Sequence, residues 1–123
     1  SVASNFIISL GATVNNETID KLKCSIIAGA ANNQLLDEKQ HGQQLFDKGI
    51  VYAPDYLINA GGVMNCYAEI HGISDKKVME MAGNIYQTTL DILNKSQDEN
   101  ISTSLAANRI AEKRIKEESL KSK

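Results

Sequence analysis

Cysteine occurs only at positions 24 and 66, too few for a disulfide framework and without C-x-x-C spacing. The two histidines, His41 and His71, lack paired-ligand spacing such as H-E-x-x-H, so no metal site is expected. Cys24 reads as a small apolar residue before a strand, and both histidines read as solvent-facing positions beside Gly42 and Gly72. Neither sign of charge is in excess: a formal net charge of -2 leaves no basic face for nucleic acid and no signal for an anionic membrane surface. Apolar runs fall far short of the roughly 20 residues that a membrane span needs. The opening residues, Ser1 to Phe6, carry no basic stretch before an apolar one, which makes a cytoplasmic location the expectation. Glycines are scattered, and no G-x-G-x-x-G occurs, the turn that would set a pyrophosphate on a helix start.

What is present suits one domain or part of one. Hydrophobic residues at 42% and charged residues at 23% exclude disorder throughout, and no linker, repeat or low-complexity tract divides residues 1–123. Three short runs read as strands: Phe6 to Leu10, Cys24 to Ala28, and Ile50 to Tyr52. They are continuous and β-branched instead of alternating, the pattern of a parallel sheet covered on both faces. Between them lie a short helical crossover near Asn16 to Leu22, capped by Asn15 or Asn16, and a helix from about Asp37 to Lys48 that stops at Gly49. Beyond Gly62 the pattern is helical throughout. Val63 to His71 reads as a short helix ended by Gly72, and a longer helix starts at Ser74 with Val78, Met81, Ala82, Ile85, Thr89 and Ile92 as its buried stripe. Lys95 to Asn100 reads as a loop. A last helix, capped by Ser102 or Thr103, puts Leu105, Ala106, Ile110, Ala111 and Ile115 on one face and frays from Lys116 onward. The expected architecture is α/β: a partial Rossmann-like domain of about three parallel strands with crossover helices, followed by carboxyl-terminal helices.

Two segments share one design. Ser25-Ile26-Ile27-Ala28-Gly29-Ala30-Ala31-Asn32-Asn33-Gln34 and Tyr52-Ala53-Pro54-Asp55-Tyr56-Leu57-Ile58-Asn59-Ala60-Gly61-Gly62-Val63 each pass from an aliphatic run to small residues and asparagine amides. Loops leaving the carboxyl ends of neighbouring parallel strands border one crevice, where α/β domains bind ligands. Asn33 and Asn59 are the leading binding candidates, because an amide offers two donor hydrogens and an acceptor oxygen to a carboxamide or amino group. Asparagine and glycine also gather in loops simply because they tolerate turns. Gly61 and Gly62 read as a turn, through close approach of backbone to a ligand or a positive φ. Pro54 and Asp55 read as structural, with Asp55 bonding loop N–H groups; a general-base role for Asp55 is the lesser reading.

These segments, with Ala31 to Leu35, His41-Gly42, the stretch from Leu10 to Ile19 and the late Ala106 to Glu112, resemble the carboxyl-terminal part of the NAD-dependent amino-acid dehydrogenases. That family comprises glutamate, leucine, phenylalanine and valine dehydrogenases; the likeness is to the leucine and valine members above all, and runs from about Leu10 to about Lys116. It implies a piece of an oxidoreductase that oxidatively deaminates a leucine-like L-amino acid with NAD. The phosphate loop, and the catalytic lysine and aspartate of an amino-terminal substrate domain, have no counterpart in this sequence. No catalytic residue is therefore assigned here. By the same resemblance, Asn33 and Asn59, with Asn32 second, lie by the nicotinamide and the substrate amino group, and Val63 and Cys66 match positions that touch the substrate side chain. Both are small and uncharged, which favours a branched aliphatic side chain over a carboxylate. Their spacing of three would equally suit the buried face of a helix.

One departure stands out: before Gly11 the family has an aspartate, then a proline and small residues, where this chain has Asn5-Phe6-Ile7-Ile8-Ser9-Leu10. A nucleotide contact from that loop is not carried over. An exposed inner sheet edge leads to the expectation of a homo-oligomer or a marginally stable piece. The alternative is a non-catalytic binding or assembly module derived from the same family.

Overall fold

The computed structural model describes residues 6–7, 11–29 and 31–121. Residues 8–10 of the expected first strand, Ala30 and the last two residues of the tail lie outside the described residues. Strands β1 (Phe6–Ile7), β2 (Ile26–Ile27) and β3 (Val51–Tyr52) pair in parallel in the order β1-β2-β3. A 3-10 turn at Ile19–Lys21 lies between β1 and β2, and helix α1 (Glu38–Asp47) between β2 and β3. Helices α2 (Asp55–His71), α3 (Asp75–Glu99) and α4 (Thr103–Lys121) follow, so the chain is α-rich.

Local signals place these elements. Asn15 Oδ1 accepts from the N–H groups of Glu17 (2.9 Å) and Thr18 (3.2 Å), starting the first turn. Asp37 accepts from Gln40 N–H (2.8 Å) as the cap of α1, and Gly49 takes φ 70° after its end, so the chain reverses into β3. The sheet buries Ile27 and Tyr52 with Val14, Ile19, Leu35, Leu45 and Ile50. A second core joins Leu57 of α2, Ile92 of α3 and Ala106 and Ala107 of α4. Thr103 ties α4 to the sheet, its hydroxyl donating to Tyr52 O (2.5 Å) in a buried setting.

Four expectations are corrected. Helix α2 starts at Asp55, eight residues before Val63, and runs through Asn59, Gly61 and Gly62, so the paired glycines form no turn. Pro54 (φ -54°) presets the entry, Asp55 favours the positive end of the helix dipole, and burial of Leu57 anchors the first turn. Together these outweigh a glycine penalty of about 1 kcal/mol each. Lys95–Glu99 is helical, closed by Asn100 at φ 52°. Lys95, Gln97 and Glu99 are good helix formers, and Glu99 binds both Lys95 and Arg109. Of the stripe expected on α3, Ile92 is fully buried and the rest half-buried; on α4, Leu105 and Ile115 are exposed while Ala106 and Ala107 face the core. At this contact α4 offers the short side chains of Ala106 and Ala107 to Leu57 and Ile92. His41, expected at the surface, is 1% exposed: Nδ1 accepts from Asp37 N–H (2.9 Å) and Nε2 donates to Asn16 Oδ1 (3.1 Å). His71 is exposed and rests against the ring of Tyr67.

Candidate functional site

The carboxyl ends of the three strands feed three segments that are bonded to one another. Ala12 N–H donates to Asn33 O (2.6 Å), and Val14 N–H donates to Gln34 O (3.0 Å). Gly11 lies so near Asn32 O that an added Cβ would stand 3.1 Å from it. Asn33 takes a left-handed conformation (φ 54°), which asparagine tolerates, and turns its N–H onto Asp55 Oδ2. The other oxygen of Asp55 accepts from Tyr56 N–H (2.7 Å). Asn59, one turn into α2, donates from Nδ2 to Asn32 Oδ1 (2.8 Å).

The structure thus brings Asn32, Asn33 and Asn59 to one rim, though they stand up to 27 positions apart. Asn32 and Asn59 satisfy only half of each other. Among the described residues, Asn59 Oδ1 is left as an acceptor, and Asn32 Nδ2 with the second Asn59 hydrogen as donors. An acceptor beside donors complements a carboxamide, which presents an N–H₂ and a C=O from one plane. The nicotinamide end of NAD fits this donor set on its chemistry.

Val63 and Cys66 follow Asn59 at intervals of four and seven along α2, placing all three on one helical face, roughly 6 and 10 Å further along the axis. Val63 is 72% exposed and Cys66 is exposed, whereas the buried residues of α2 are Leu57 and Ala68. These two side chains are therefore not a core face of the helix. Gly61 and Gly62 are exposed within α2, and nothing lies within 4 Å of a Cβ added at either. Pro54 is the residue before the helix.

Behind the rim is a cavity of about 340 Å³ lined by Asn32, Asn33, Glu38, Tyr52, Asp55 and Tyr56, with Leu35. Burial raises the Glu38 carboxyl above its usual range, and the charge of Asp55 adds to this. Burial likewise pushes the Tyr52 phenol far above its normal value, with Asp55 next, and raises Tyr56, with Glu38 next. Both phenols are thus protonated donors at neutral pH. Among the described residues, no lysine, arginine or histidine lines this cavity, so its lining offers polar groups and no cationic acid.

Sequence reading missed Glu38, Tyr52 and Tyr56, and it missed Gln34, fully buried with Nε2 donating to Gly29 O (2.9 Å). Gln34 stood in the same Ala-Asn-Asn-Gln string, but only burial reveals it as the brace of that loop.

The sequence model of the Glutamate/Leucine/Phenylalanine/Valine dehydrogenase family matches residues 9–122. The chain belongs to this family. It is 49% identical to the leucine dehydrogenase of Thermoactinomyces intermedius over 107 residues, covering 87% of this chain and 29% of that protein. It is also 49% identical to the L-tryptophan dehydrogenase of Nostoc punctiforme, over 87% of this chain and 30% of that one. The crystal structure of L-tryptophan dehydrogenase from Nostoc punctiforme superposes with a TM-score of 0.87 at 44% identity, covering 95% of this chain and 35% of the other. The chain spans about three tenths of the length of the curated relatives it matches. Among the described residues, no helix is long and apolar enough to cross a membrane.

Proposed function

We propose that this chain is the nicotinamide-facing part of an NAD-dependent amino-acid dehydrogenase, which converts a leucine-like L-amino acid to its 2-oxo acid with release of ammonia. The observation that carries the proposal is the Asn59–Asn32 amide pair (2.8 Å) at the carboxyl ends of two neighbouring parallel strands. In open parallel α/β sheets that is the end where ligands bind. Asn32 and Asn59 would hold the carboxamide, with Asn33 beside them. NAD, when bound, supplies the hydride acceptor. The amides fix the orientation of the ring and prevent its rotation, the kind of positioning on which hydride transfer depends. Proton transfer falls to residues elsewhere in the longer polypeptide, in a cytoplasmic oligomer.

Val63 and Cys66, on the Asn59 face of α2, would form one wall for the substrate side chain. Burying a branched aliphatic group against them gains about 1.5 to 3 kcal/mol, whereas burying an unpaired carboxylate costs several kcal/mol. Relatives named for leucine and for tryptophan support an apolar side chain in general, and the uncharged Val63 and Cys66 favour a branched aliphatic one over a carboxylate.

The test is NADH formation by the complete polypeptide that contains this chain. Leucine should exceed glutamate by about a hundredfold in kcat/KM, the size expected of an unpaired buried charge. Absence of NAD-dependent turnover with every amino acid tried would leave only the assembly-module alternative.

A further inference from the structure

We infer that Asp55 is a positioning residue that holds the Asn32-Asn33 loop in its ligand-ready geometry; this rests on the dehydrogenase assignment above. Asp55 has one oxygen on Asn33 N–H, from a neighbouring strand's loop, and the other on Tyr56 N–H (2.7 Å), within its own helix. It is therefore a clamp between the first turn of α2 and the loop after β2. The bond to Asp55 favours the left-handed φ of 54° at Asn33, a conformation that asparagine tolerates at less cost than most non-glycine residues and that its surroundings here hold in place. The Asn33 carbonyl then receives Ala12 N–H (2.6 Å), so the clamp extends to the segment after β1.

Geometry also shows what the clamp positions. Asn32, the residue before Asn33, takes its side-chain bond from Asn59 on the same helix that carries Asp55, one turn later. Two bonds thus register the loop against α2, one from a carboxylate and one from an amide. The carboxylate bond is charge-assisted and is the stronger of the two. Without it, Asn32 and Asn59 lose their common register, and the open acceptor and donors no longer face one carboxamide. Asp55 does not touch the reacting atoms in this scheme; it acts through Asn33 and Asn32.

The experiment uses the complete polypeptide and compares wild type with Asp55→Ala and Asp55→Asn. Hydrogen exchange at the Asn33 amide reads the clamp directly, and NADH affinity and steady-state kinetics read its consequence. Asp55→Ala should remove protection at Asn33 and raise the NADH Kd about tenfold, the effect of one charge-assisted bond. Asp55→Asn keeps an acceptor oxygen and should restore part of both, a graded rescue that general destabilisation would not produce. Protection at Asn33 unchanged in Asp55→Ala, or NADH affinity unchanged while protection is lost, overturns the inference. If Asp55→Ala does not fold, Asp55→Asn alone decides it by the same two readouts. Wild-type protein that binds no NADH would instead sink the dehydrogenase assignment, an outcome separate from either of these.

Discussion

Alanine at Gly61 or Gly62 should make the chain more stable, the opposite of what a turn would predict. Both glycines lie inside α2 without positive φ, and a Cβ at either would meet nothing within 4 Å. Glycine to alanine at an exposed helix interior is worth about 1 kcal/mol, because the unfolded chain loses freedom and no contact is disturbed. With unfolding entropy near 2.1 cal/mol/K per residue, a chain of this length gains about 4 °C in Tm per substitution. Thermal unfolding of the 123-residue chain, followed by circular dichroism at fixed concentration, measures it. A fall in Tm for both single variants would refute the helical placement, since only a strained or turned backbone penalises alanine there. The same variants address function independently. If the glycines also allow a ligand or another chain to approach the backbone, Gly61→Ala or Gly62→Ala in the complete polypeptide will lower kcat/KM while raising Tm.

Other outcomes follow from the packing and charges. Thr103→Val removes the buried hydroxyl that reaches Tyr52 O and should cost about 2 kcal/mol in denaturant unfolding, with α4 loosened from the sheet. Glu38 and Glu99 should tilt the pH dependence of stability in opposite directions. The raised Glu38 carboxyl contributes stability that is complete below its ordinary value of 4.5 and is lost as the pH rises through the folded value, so Glu38→Gln should gain on wild type between acid and neutral pH. Hydrogen bonds from Lys95 and Arg109 lower Glu99, whose contribution is present above 4.5 and lost on acidification, so Glu99→Gln should lose ground as the pH rises. Equal and flat pH profiles for both variants would contradict these signs. The chain by itself should self-associate through the exposed Val63, Tyr67 and Ile70 of α2; sedimentation showing a monomer at all concentrations would count against this.

Strand and helix signals were legible where backbone chemistry is local. Asp37 and Gly49 bracket α1 as their residue types require, and Ser102 sits at the start of α4 with its hydroxyl accepting from Leu105 N–H (3.3 Å). Gly72, at φ 61°, closes α2 as expected. Where the reading went wrong, a tertiary term overrode a local one. Gly61 and Gly62 looked like a break, yet the burial of Leu57 and Ala68 holds the helix through them. The polar stretch at 95–99 looked like a loop because polarity was taken for irregularity, although Lys95 meets Glu99 one turn away within the helix and Arg109 joins them when α4 packs on α3. His41 gave no sign of burial, because only Asp37 N–H, four residues earlier, is a local partner, while Asn16 Oδ1 stands 25 positions away and reaches the ring only in the fold. At the site, the amides were legible by type and spacing. Glu38 and the two tyrosines were not, since each is set facing the cavity by an element whose own pattern carries no mark of it.

The rim and the sheet are one mechanical object, and this decides how the site can be perturbed. Among the described residues each strand contributes two residues to the ladder, too little pairing to fix loops that extend beyond it. Their alignment comes instead from bonds past the strand ends: Ala12 to Asn33, Val14 to Gln34, Leu36 to Val14 at 3.0 Å, and Asn33 to Asp55. The first three continue the parallel pairing of the sheet, with Val14 opposite Leu35, while the last passes it to a helix start. Val14 and Leu35 also belong to the core, so the backbone that presents Asn32 and Asn33 is anchored by apolar burial on one side and by a carboxylate on the other. A substitution at Val14 that loosens the core should therefore disturb the amides as surely as one at Asp55. The two are told apart because the first lowers global stability in proportion to its effect on binding, while the second acts on binding beyond its effect on stability.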